Sequence, residues 1–200
     1  MKKYELTGET KEIGGVTLHR IRALVDIPGN DVKAGDLGGW IEVERNLSQK
    51  GAAWVADEAR VMGEALVMDS ARVMDSARVM GTARVMGEAL VTGSARVTGK
   101  ARVMGEARVM DSARVTGKAR VMKSSDCITI GAIGSRDDTT TFYRGTDGGI
   151  YVSCGCFSGT IDDFAAEVKQ VHAGTKHEKT YLLAIELAKA QIATEEESDD

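Results

Sequence analysis

Of 200 residues only three are Phe and two are Trp, too little aromatic material for one large globular core. A solenoid with small end modules suits such a chain, because each coil needs only its neighbours. No apolar stretch reaches the roughly eighteen residues of a membrane-spanning helix. The opening MKKYELTGET has two lysines but no apolar run behind them, so neither a secretory signal nor a membrane partner is expected. Cysteine is scarce. Cys127, Cys154 and Cys156 are an odd number in a long chain, which is no disulfide framework and points to a reducing cytoplasm. The Cys154-Gly155-Cys156 pair is too short for zinc-knuckle spacing and has no second pair to complete four ligands. We read these residues as buried structural thiols and expect no metal and no cofactor.

What fills the space instead is repetition. From Ala52 to Lys123 the chain runs through twelve six-residue units of the form x-Ala-Arg-Val-Met/Thr-Gly/Asp, and a six-residue period marks a β-helix. Ala and Val, two apart, fall on one side of an extended strand and must face inward, while Arg and Met or Thr face outward. The sixth residue is Gly or Asp in every unit but the last; both accept the left-handed backbone of a tight corner. Three strands and three corners close a triangular coil of eighteen residues, stacked at about 4.8 Å. Ala, Arg, Met and Glu favour helix, but a Val and a corner residue at period six fit no helical spacing.

Residues 1–45 read as an entry cap whose best strand is Val16 to Val25. Trp40 to Arg45 and Asn46 to Gly51 are two degenerate units leading into the β-helix of 46–123. Residues 124–194 form a small α+β module. Its strands are expected at 127–130, 139–144 and 149–154, with a hairpin turn at 145–148. Thr160 and Thr175 start two helices with capping-box patterns, and 195–200 is an acidic, frayed tail. Charge is uneven, with net +4 over 52–123 and net −8 over 124–200.

The ARVMG and ARVTG units, entered through Lys33-Ala-Gly-Asp-Leu-Gly-Gly-Trp-Ile-Glu42 and Asn46-Leu-Ser48, resemble the hexapeptide-repeat left-handed β-helix proteins of the YdcK-like kind, often found in phages and prophages. That resemblance implies left-handed coiling, which periodicity alone does not show. The segment from Gly134 to Phe142, with Cys154 to Thr160, is similar to an end module of phage-borne proteins of Gram-positive bacteria. The resemblance implies a mainly β fold and a non-enzymatic binding or scaffold protein, with interference with a host defence system as a natural role. Many hexapeptide-repeat proteins are acyltransferases, the alternative reading, but they need a His base on or near a coil. Here His19, His172 and His177 all lie outside the array.

Two kinds of site are expected. Arg60, Arg78, Arg96 and Arg114 stack as one outward ladder and Arg84, Arg102 and Arg120 as another, a guanidinium strip for phosphate or carboxylate groups. Beside the second ladder, Met68, Met86, Met104 and Met122 make an apolar column; with the resemblance it suggests a homo-oligomer, a trimer favoured. Partner recognition, of a host protein or an anionic ligand, is expected in 134–160. Arg136, Asp137 and Asp138 sit in a turn, and Gly155, Phe157 and Thr160 in a Gly-rich connection whose helix start offers N–H groups to an anion.

Overall fold

A computed structural model describes residues 1–192; the acidic tail expected at 195–200 lies outside the described residues. Each six-residue unit forms a two-residue strand, from β4 (Trp54–Val55) to β15 (Arg120–Val121). Val pairs with Val in parallel exactly one coil on, as in Val61 with Val79, Val79 with Val97 and Val97 with Val115. Three parallel sheets result, one per side, around a core of Ala and Val that is at most 1% exposed. The protein is thus mainly β, built on a single-stranded left-handed β-helix. Every corner residue from Asp57 to Gly117 has a positive φ, between 53° and 71°. Asp at a corner adds a bond that Gly lacks. The carboxylates of Asp57, Asp69 and Asp75 accept the N–H groups of Asp75, Gly87 and Gly93, each one coil on.

An entry coil precedes the regular ones. In β3 (Leu37–Ile41), Trp40 and Ile41 pair in parallel with Arg60 and Val61, and Leu47 bridges Val67. The antiparallel hairpin of β1 (Tyr4–Ile13) and β2 (Val16–Ala23) extends the same side to seven strands. The strand expected at 16–25 is β2; β1 was not anticipated.

The ends of the solenoid differ chemically. Outside the strand pairs, N–H groups donate forward: Met62, Met80 and Met104 donate to the carbonyls of Val79, Val97 and Val121. The entry is therefore rich in free carbonyls and the exit in free N–H groups, and buried polar groups there would be costly if unpaired. Donors close the entry. Lys3 Nζ donates to the carbonyls of Ala53 (2.7 Å) and Gly51 (3.3 Å), and Asn46 Nδ2 to those of Gly63 and Ala65 (both 2.9 Å). Acceptors close the exit. Asp126 takes the N–H groups of Met122 (2.8 Å) and Lys123 (3.0 Å), and Thr141 Oγ1 takes that of Arg114 (3.0 Å).

Burial lowers Lys3 to a pKa of about 8, whereas an unfolded lysine titrates near 10.4. Between those values the unfolded chain holds the extra proton, so Lys3 makes stability rise with pH from about 8 to about 10.5. Lys3→Met should remove that contribution. The melting-temperature difference between parent and variant, followed across this window, should widen; a constant difference would refute the assignment.

The exit carries the second module, an antiparallel sheet in the order β16 (Cys127–Ile133), β17 (Asp138–Arg144), β18 (Ile150–Cys154) and β19 (Phe157–Thr160). Helices α1 (Ile161–Val171) and α2 (Lys176–Gln191) cover it. Strand alternation in β17 joins the two bodies: Tyr143 is buried in the solenoid core and Phe142 in the core under the helices. The hairpin at 145–148 and the Thr160 and Thr175 caps form as expected, each Thr Oγ1 accepting the N–H three residues on. The connection expected at 154–160 is instead a hairpin onto β19, with Gly155 at its turn.

Candidate functional site

Four of the expected recognition residues meet in one cleft. Arg136, Asp138, Gly155 and Phe157 line a cavity of about 190 Å³ between the β16–β17 and β18–β19 turns and the two helices. Its floor is aromatic. Phe164 stands at the centre, its ring 5.1 Å from Phe157, 5.3 Å from Tyr181 and 6.2 Å from Phe142. Val168, one turn along α1, continues the floor, and Glu167 and His172 join Arg136, Asp138 and Cys156 at the rim. Arg136 is exposed and makes no hydrogen bond or ion pair among the described residues.

The turn geometry sets the shape. Gly134 has φ +79°, and a Cβ there would fall 1.7 Å from the Tyr181 hydroxyl. Only glycine lets Tyr181 pack against this turn, where its hydroxyl lies 3.7 Å from Cys154 Sγ. Burial first, then the Cys154 thiol, pushes Tyr181 up to about 12, so it stays protonated and able to donate. Cys154 Sγ donates to the Tyr181 hydroxyl and accepts from the Thr140 hydroxyl at 3.2 Å. Burial pushes the Cys127 thiol up to about 12, which leaves it protonated and unreactive. Cys154 is only half-buried and Cys156 is exposed, so the expectation of buried thiols fails for Cys156, which sits at the tip of the β18–β19 turn. Among the described residues no three His, Cys, Asp or Glu side chains gather as a metal site.

Asp137 and Thr160 stand apart from the cleft. Asp137 supplies a second left-handed residue to the turn that Gly134 opens, φ 47°. Thr160 caps α1, whose first turn holds Asp162 and Asp163 and so already carries negative charge. The cleft residues contributed by the helices, Phe164, Glu167, Val168, His172 and Tyr181, were not anticipated. The available signal was the four-residue spacing of Phe164 and Val168 and of Tyr181 and Ile185, which marks the faces laid on the sheet.

The ladders stack in register, Arg60 on Arg78, Arg96 and Arg114, and Arg84 on Arg102 and Arg120. The first is closed at both ends. Trp40 lies over Arg60 and carries Lys11 3.8 Å and Arg20 5.0 Å from its ring. Arg114, the last rung, donates to the Gly155 carbonyl at 3.2 Å and lies 3.9 Å from the Asp138 carboxylate. Ladder and cleft therefore share a wall. Met68, Met86 and Met104 are half-buried, and Met122 at the foot of their column is 42% exposed.

A scan against protein-family models finds no match to this chain, and a search of curated proteins finds none either. Fold and cleft alone define the class: a three-sided β-helix whose exit carries a small module with an aromatic-floored cleft.

Proposed function

We propose that this is a non-enzymatic binding protein of the phage or prophage type its repeat resembles, with the β-helix as a rigid stem and the end-module cleft as its recognition site for a host partner. One observation carries the reading: an exposed Arg136 that makes no hydrogen bond or ion pair among the described residues stands at the rim of a small aromatic cleft. An exposed guanidinium beside an apolar recess suits an apolar side chain with a carboxylate or phosphate next to it, since Arg binds such groups through two parallel bonds. The stem supports this by holding Gly155 and Asp138 from behind through Arg114.

The test compares parent and Arg136→Ala as baits in a host-cell extract, with quantitative mass spectrometry of what each retains. Arg136 is exposed and makes no hydrogen bond or ion pair among the described residues, so the variant should melt within a degree or two of the parent. A partner held by the parent should be retained at least tenfold less, the equivalent of losing one charge-assisted hydrogen bond of about 1.5–3 kcal/mol. Equal retention of every protein by both baits would end the proposal, as would a variant that melts well below the parent.

A further inference from the structure

Beyond its first coil, where Glu58, Glu64 and Asp69 lie on two of the sides, the charge on the β-helix is sorted by side. In its last three coils, residues 76–87, 94–105 and 112–123 cover two adjacent sides and the edge between them; they contain nine Lys and Arg and no Asp or Glu. The third side of the same coils, residues 70–75, 88–93 and 106–111, has two Arg and four acidic residues. A surface shaped for solubility alone intersperses both signs. Here carboxylates are absent from two sides of three.

Geometry makes a continuous strip of them. Arg78, Arg96 and Arg114 stack on one side, and Arg84, Arg102 and Arg120 on the next. The edge between runs through Gly81, Gly99 and Gly117, where a Cβ on Gly81 or Gly99 would come within 3.1 Å of the backbone one coil on. That edge stays slim, and Lys100 and Lys118 follow its glycines. Of the nine cations only Arg114 makes an ion pair among the described residues. At the foot of the strip, Arg120 and Lys123 open on a recess of about 620 Å³ beside the 145–148 turn, which Arg144 and the carboxylates of Asp126 and Asp147 also line, so the carboxylate-free surface ends there.

We infer that this two-sided basic edge binds the phosphodiester backbone of a nucleic-acid duplex without reading its sequence. The outward residues are Arg, Lys, Ser and Thr with a few Met, the donor set that proteins use on phosphates. No Asn, Gln or aromatic residue lies in these segments, so they lack the usual adenine readers and the stacking platform that single strands require. A convex edge with cations on both flanks complements a groove bordered by two phosphate strands. Nine charges over three coils of about 4.8 Å come to about one per 1.6 Å, close to the duplex value of about 1.7 Å. A second copy packed along the Met column would instead bring the Arg84, Arg102 and Arg120 columns of both copies together, like charge against like. A protein partner needs a central apolar anchor, and the strip offers only Met.

The experiment uses the full-length chain and short fluorescein-labelled DNA duplexes of two unrelated sequences, read by anisotropy between about 50 and 200 mM salt. Both duplexes should bind equally, with a log–log salt slope near −4.5 if about five phosphates are neutralised. Arg96→Glu with Arg102→Glu should weaken binding at least tenfold and make the slope shallower by about two. Arg72→Glu with Arg108→Glu, the same charge change on the third side, should leave affinity within about twofold, and Arg136→Ala should leave it unchanged, keeping this surface separate from the cleft. RNA duplexes of the same sequences decide which nucleic acid is held more tightly; binding of either supports the inference. No duplex binding at low salt, equal losses from the two double variants when both melt like the parent, or tighter binding to single strands or to an acidic peptide would overturn it.

Discussion

Val85→Asp should lower the melting temperature by about 8–16 °C. Val85 is fully buried and pairs with Val67 above and Val103 below in one inner column. A carboxylate there would meet only Ala and Val, with no donor to satisfy it. Burying an unpaired charge is one of the few single changes that cost about 4 kcal/mol or more, and about 2–4 °C is lost per kcal/mol in a domain of this size. The same substitution one residue earlier serves as the control. Arg84 is exposed, and Arg84→Asp places its charge in solvent between Leu66 and Arg102, so its effect should stay within about 0.5 kcal/mol. Equal melting temperatures for the two variants would mean that Ala and Val do not face inward.

The solenoid was legible because its physics repeats. A period of six with a left-handed corner residue fixes a three-sided coil and its register, though not its hand, and pairings such as Arg84 with Arg102 follow from counting eighteen. The entry hairpin was not legible for the opposite reason. YELTGETKEI alternates weakly, has Gly8 in its middle and exposes much of its length, so it becomes a strand through its pairing with β2 rather than through its own pattern. The Gly14-Gly15 turn between them was the one local sign. Lys3, the second of two adjacent lysines, carries no sequence mark of a residue that will plug the entry coil.

Of the cleft, the sequence shows the turns but not the walls. Arg136, Gly155 and their neighbours stand out as turn chemistry within one stretch of chain. Phe164, His172 and Tyr181 reach the same space only because two helices fold back over the sheet, a tertiary event that no local pattern encodes. The link between Arg114 and Gly155 is of the same kind, since it depends on which coil happens to be last.

Asp126 is where the two bodies are joined, and Asp126→Ala should cost about 3–5 kcal/mol, the range for breaking a buried charged pair by removing one member. Its side chain is 5% exposed and receives Arg144 Nε at 2.9 Å as well as the N–H groups of Met122 and Lys123. The truncation leaves those N–H groups without their acceptor and the guanidinium without this carboxylate. Asp126→Asn keeps an oxygen for the N–H groups and should cost less, as uncharged Asn46 shows by closing the entry in a similar short turn with Oδ1 on the Val43 N–H. A pH series separates charge from shape. Burial works to raise the Asp126 carboxyl, but the N–H groups of Met122 and Lys123 and the Arg144 guanidinium outweigh it and hold the group below the ordinary value. A lowered folded pKa contributes stability above the unfolded value of about 4, and the contribution is lost as pH falls through the folded one. The melting-temperature gap between parent and Asp126→Asn should therefore be full at pH 7 and shrink on acidification below about pH 4. A gap that stays constant down to about pH 2 would show that Asp126 acts through its shape alone.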